Sequence, residues 1–197
     1  MGTRSLTRVF DRDGQELVCM YRQYDGYLSG HGKELAEFLG SGKVVNGINS
    51  SQGDGRVFNG ADDLAAQLVA WFKLSGFLHM LPHDTAMEVT RPARILEMKD
   101  SSATMKASEV FFLIREAIEA ALEDLKLTEG VAAGGIYLMA PGTHGVGEDY
   151  TYEIFVAGPG DSLRVRVTGG WSSRADEPCL YDGDPAGLYE LATKKED

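Results

Sequence analysis

Between Tyr21 and His31 the chain gathers three tyrosines, Arg22, Gln23, Asp25 and His31 within eleven residues. Each residue type suggests its own chemistry. A carboxylate beside an imidazole, here Asp25 and His31, is the pairing that orients a general base. Arg22 supplies fixed positive charge and a planar fork of donors for an anion. Tyr24 and Tyr27 offer rings for stacking on a planar ligand, whereas Tyr21 fits better in a core. Gly30 and Gly32 leave backbone N–H groups uncovered near a helix start, where anions bind. The candidate ligand-binding set is therefore Arg22, Gln23, Tyr24, Asp25, Tyr27, Gly30, His31 and Gly32. Asp25 has a second reading, because Asp-Gly forms turns and its carboxylate can bond its own backbone.

The rest of the chain offers weaker chemistry. His79 and His83 stand four apart, as metal-ligating histidines do on a helix, but Pro82 between them opposes a regular helix. No HExxH motif occurs, and no spacing joins His31 or His144 to the pair. Neither a metal nor a cofactor is expected. Ser50-Ser51 lacks a nucleophile-elbow pattern. Removing Met1 would expose Gly2 rather than a nucleophilic residue. Cys19 suits a small core position, and spacing does not say whether it pairs with Cys179.

The elements that must hold the 21–39 stretch follow from periodicity. Ser5–Arg22 reads as a β-hairpin turning at Asp11-Arg12-Asp13-Gly14. Its second strand is apolar on both faces, which places it inside a sheet. Leu35, Phe38 and Leu39 predict a helix over 32–39, ended by a left-handed Gly40. Residues 40–55 read as loop, with a short buried piece at Val44, Val45 and Ile48. Asn59 should cap a second helix over 62–75, closed by Gly76, before a short strand over 77–81. The stretch 82–130 is expected to be an insertion carrying a long amphipathic helix over 107–126. Strands follow at 136–140, 150–156 and 162–168, the last two joined as an antiparallel hairpin. The 141–148 loop is a candidate neighbour of the 24–31 turn. Residues 169–197 read as a loosely held tail with a short element at 188–192. The expected architecture is a single α+β domain in the order β-β-α-α-β-α-β-β-β, with a mostly antiparallel sheet and helices packed on it.

Length and charge bound the function. With 197 residues and 43% apolar content, the chain can bury a sizeable core. A net charge of −11 without a basic run argues against nucleic-acid polymers and anionic membranes. The opening MGTRSLTRVF contains no signal-peptide hydrophobic region and no run is long enough to span a membrane, so a cytoplasmic location is expected.

Several blocks recur together: MGTRSL, MYRQYDGY with GHGKELAEFL, FNGADDLAAQLVAWFK, and GIYL followed by EDYTYEI. Over roughly residues 1–81 and 135–156 they resemble a family of bacterial and tailed-phage proteins without an established activity. Leu28 stands where that family usually has Pro, and 99–126 resembles an addition. The resemblance implies a bacterial or phage origin and directs attention to the turn. Three functional expectations follow. The first is a module binding a small polar or anionic ligand, such as a signalling nucleotide that it sequesters, at Tyr24–Gly32. The second is a hydrolase using His31 and Asp25. The third is a protein-interaction domain, as homo-oligomer or with another protein, using the 107–126 helix.

Overall fold

The computed structural model describes residues 2–47, 56–80, 135–160, 162–169 and 178–194. The chain divides into two compact units, Met1–Phe72 with Gly135–Asp197, and Lys73–Gly134. Of the second unit, 73–80 are described, as the end of a helix. The insertion and helix expected over 82–130, and the polar run 48–55, lie outside the described residues.

The first unit is built on a six-stranded sheet. Its strands are β1 (Ser5–Phe10), β2 (Glu16–Arg22), β5 (Ile136–Met139), β6 (Tyr150–Phe155), β7 (Arg164–Gly169) and β8 (Cys179–Gly183), in the order β5-β2-β1-β6-β7-β8. β1 and β6 run parallel; every other neighbouring pair is antiparallel. The fold is therefore α+β with a mixed, mostly antiparallel sheet. The N-terminal hairpin and the C-terminal strands share this sheet, as expected. β2 lies inside it, between β5 and β1, consistent with its two apolar faces. A separate two-stranded parallel pair joins β3 (Gly42–Val45) to β4 (Arg56–Asn59).

Register sorts the side chains by face. Thr7 and Val9 lie beside Met20 and Val18 on one flank, and beside Tyr152 and Ile154 on the other. Val167 and Val165 continue that face. It meets the buried residues of α1 (Lys33–Gly40), α2 (Gly60–Met80) and α3 (Pro185–Thr193), among them Leu35, Phe38, Leu64, Leu68, Phe72 and Leu188. The other face carries Arg8, Glu153, Arg166 and Asp182 in register across four strands. Arg164 pairs with Asp182 at 2.6 Å, and Phe10 stacks on Phe155 at 5.2 Å. One dry face and one largely polar face is the usual economy of an antiparallel sheet.

Local details depart from the sequence expectations where tertiary partners intervene. α2 continues through Gly76 to Met80, so 77–80 are helical rather than the start of a strand; a mid-helix glycine weakens a helix by only about 1 kcal/mol and does not end it. Gly40 is the last residue of α1 without a left-handed backbone. Ser41 ends the helix instead, its hydroxyl donating to the Phe38 carbonyl at 2.8 Å. Asn59 closes β4, and its side-chain oxygen accepts from Gly47 N. Asp63 reaches back to the Asn59 amide at 2.8 Å. From the expected tail, 179–183 form the sheet's edge strand and 185–193 a helix, capped by Asp184 accepting from Gly187 N. The apolar residues Leu188 and Ala192 are buried there.

Candidate functional site

β2 ends at Arg22, and the chain then crosses back over the dry face of the sheet. The crossing needs a tight bend. Asp25 adopts a left-handed backbone at φ 56°, and Gly26 lies against β1. Gly26 N donates to Thr3 O, and a Cβ on Gly26 would come within 2.6 Å of the Arg4 carbonyl carbon, so only glycine fits. Residues Leu28–Gly32 then form one wide helical turn with i→i+5 bonding, which leads directly into α1. Such turns are rare and concentrate at functional sites.

This wide turn sends His31 downward into the core. Its ring is fully buried, edge-on to Tyr152 at 4.9 Å between centroids and 4.8 Å from Phe72. Both ring nitrogens have partners. Nδ1 lies 3.1 Å from Arg22 Nη1, and Nε2 lies 2.6 Å from Thr7 Oγ1. A guanidinium has donors only, so Nδ1 must accept. The neutral ring therefore carries its proton on Nε2 and donates it to Thr7. Burial, and secondarily the Arg22 charge, hold the imidazole well below its ordinary pKa of 6.5.

Arg22 is the hub. Its Nε donates to Tyr24 O at 2.7 Å, and Nη1 also reaches Glu34 Oε2 at 2.5 Å. The chain Thr7–His31–Arg22–Glu34 thus runs from the sheet, through the turn, to a carboxylate on α1 that is one-third exposed. Tyr152 completes the closure by donating its hydroxyl to Gly26 O at 2.9 Å; burial raises its pKa.

These positions settle the geometry of each candidate residue. His31 and Asp25 do not form a side-chain pair; the only bond between them runs from His31 N to Asp25 O, at 2.9 Å. The Asp25 carboxylate faces solvent, so Asp25 acts through its backbone as a turn former. The amides of Gly30 and Gly32 donate to Tyr27 O, at 3.1 and 3.3 Å. Contrary to expectation, none of the three amides of 30–32 is left for an anion. Gln23 is half-buried and accepts from the Tyr21 hydroxyl at 2.9 Å. Tyr24 and Tyr27 are 57% and 39% exposed. The 141–148 loop lies elsewhere: Gly142 N and Thr143 O bond the side chains of Glu16 and Arg8, and Arg8 belongs to the opposite face of the sheet.

Thr7, Glu34, Tyr152 and Phe72 were not legible as parts of this cluster. The available signal was parity. Thr7 and Arg22 occupy core-facing positions of apolar strands, where an unpartnered polar group is costly. Among the described residues no group of His, Cys, Asp and Glu could hold a metal ion. Cys19 is buried and Cys179 exposed, and neither is in a disulfide. No described helix is long and apolar enough to cross a membrane.

No family model, curated protein or solved structure matches the chain.

Asp25 gives a direct check on the turn. Asp25→Ala should destabilise the protein by about 1 kcal/mol, because aspartate enters the left-handed region at this φ more readily than alanine does. Asp25→Gly should not. Urea unfolding of both variants measures the difference, and equal losses would show that the carboxylate matters more than the backbone.

Proposed function

We propose that the protein is a binding module that takes a small planar ligand on the outer surface of the 24–27 bend. One observation supports this most: of the polar and aromatic side chains gathered in the 22–32 stretch, Tyr24, Asp25 and Tyr27 face water, while Arg22 and His31 are committed inside. The internal network makes the bend a rigid base for two partly exposed rings. Tyr24 is backed by the Gly2 and Gly135 backbone, and Tyr27 by Gly30. Rings held this way lose little entropy on stacking. The ligand class is nucleoside-like: a flat heterocycle stacking on tyrosine, with an amino or hydroxyl group for Asp25. A phosphate tail contributes little, because the amides of 30–32 already have partners and the Arg22 side chain is nearly buried.

The test is an NMR titration with nucleosides and their 5′-phosphates. Matched affinities are expected for each pair, with shifts centred on Tyr24 and Tyr27. Tyr24→Ala should weaken binding roughly tenfold, in line with the loss of one stacked ring. Absence of binding, or a large preference for the phosphorylated form, would overturn the proposal. Product formation beyond one equivalent would favour a hydrolase instead.

A further inference from the structure

Arg56 opens β4 and shares a strand face with Phe58. Both pack against α1, where the buried Phe38 ring lies 5.5 Å from the Phe58 ring and 4.5 Å from the Arg56 guanidinium carbon. The same carbon lies 4.7 Å from the ring of Trp71 on α2. The two rings stand 5.9 Å apart and are tilted by 44°, so the guanidinium sits in a corner between them. Neighbouring bonds hold β4 to α2: Gln67 Nε2 donates to Val57 O, and Asn59 N to Asp63, each at 2.8 Å.

Contact with aromatic rings engages the charge of a guanidinium and leaves its in-plane N–H edge unused. Among the described residues Arg56 has no hydrogen-bond acceptor and no carboxylate within 4.0 Å, whereas every other arginine has a carboxylate within that distance. The chain carries a net charge of −11, so acidic side chains are plentiful. Asp63, which reaches β4 from α2, bonds Asn59 N and Gln67 instead. Arg56 is only partly buried. Trp71 beside it is 44% exposed, and its indole N–H likewise has no acceptor among the described residues.

A guanidinium already fixed by two rings, with its fork of donors free, is organised in advance to receive an oxyanion. We propose that Arg56 and Trp71 form a site for a small carboxylate carried on an apolar group. The two carboxylate oxygens take the guanidinium edge, and the apolar body lies along the exposed indole. A single charge fits better than a phosphate dianion, because the acidic chain repels the second charge. This site is independent of the bend at 24–27, and neither proposal depends on the other.

Benzoate, benzamide, acetate and inorganic phosphate, each titrated into the full-length protein and followed by indole and backbone N–H signals, separate the alternatives. Benzoate should give saturable shifts at the Trp71 indole N–H and at the amides of 56–58. Acetate should bind roughly tenfold more weakly, and benzamide and phosphate should not saturate in the same range. Arg56→Met keeps an apolar stem against both rings but has no donors, and should abolish the shifts. Arg56→Lys, which keeps the charge and loses the fork, should weaken benzoate binding roughly tenfold. The proposal is overturned if benzoate causes no saturable shift, if acetate, benzamide or phosphate matches it, or if both variants bind like the parent.

Discussion

Arg22→Met is expected to cost about 3 kcal/mol of folding stability, the largest loss from any one side chain of the turn. The side chain is nearly buried and donates to three acceptors on three segments: Tyr24 O, His31 Nδ1 and Glu34 Oε2. Methionine fills much of the volume, so the loss reports the donors rather than a cavity. His31 Nδ1 would then be buried without a donor, and an unsatisfied buried acceptor carries its full desolvation penalty. Glu34 is better placed to recover, since it is one-third exposed and can turn to water. Glu34→Gln should therefore cost under about 1 kcal/mol. Equilibrium urea unfolding of both variants is the measurement. Losses of similar size would mean that Arg22 does not anchor the turn.

The second large effect is a dependence on pH that resides in His31. Its folded pKa is depressed, by burial first and the Arg22 charge second, from the ordinary 6.5. Below about pH 6.5 the unfolded chain takes up a proton that the folded chain excludes. Stability from this residue is thus fully present above pH 6.5 and is lost as the pH falls, at up to about 1.4 kcal/mol per pH unit. The groups facing the ring make the direction firm: Arg22 is a cation, Thr7 a neutral hydroxyl, and Phe72 and Tyr152 are aromatic walls. Among the described residues no carboxylate touches the imidazole to stabilise its charge. His31→Gln should flatten the curve between pH 6.5 and pH 5. Urea midpoints across this range decide the matter, and an unchanged slope in His31→Gln would sink the assignment.

Periodicity carried the architecture a long way. Alternation along 150–156 and the apolar run of 16–22 identified strands that do share one sheet, and the two apolar faces of β2 placed it inside. The 3.6-residue spacing of Leu35, Phe38 and Leu39 found α1. These signals are local, because burial of a face requires apolar residues at the period of the element that carries them. Less legible were the elements whose partners are distant. β8 is largely exposed and has little apolar pattern of its own; its hydrogen bonds to β7 make it a strand. The parallel pairing of β1 with β6 joins segments about 145 residues apart, and nothing in either strand encodes its direction.

The candidate site divides along the same line. Residue types alone determined that 21–32 is a sharp, glycine-bearing bend rich in polar groups, and that Asp25-Gly26 turns the chain. Which of those groups would be available was decided by tertiary structure. The Leu28–Gly32 turn winds wide enough to aim His31 at Thr7, a residue 24 positions earlier. A buried imidazole and guanidinium must each find partners or pay for desolvation, and they found each other, Glu34 and the sheet. The same demand consumed the amides of 30–32, which from sequence looked open to an anion. Tyr24 and Tyr27 remained outside, 57% and 39% exposed, on the same bend that buries His31.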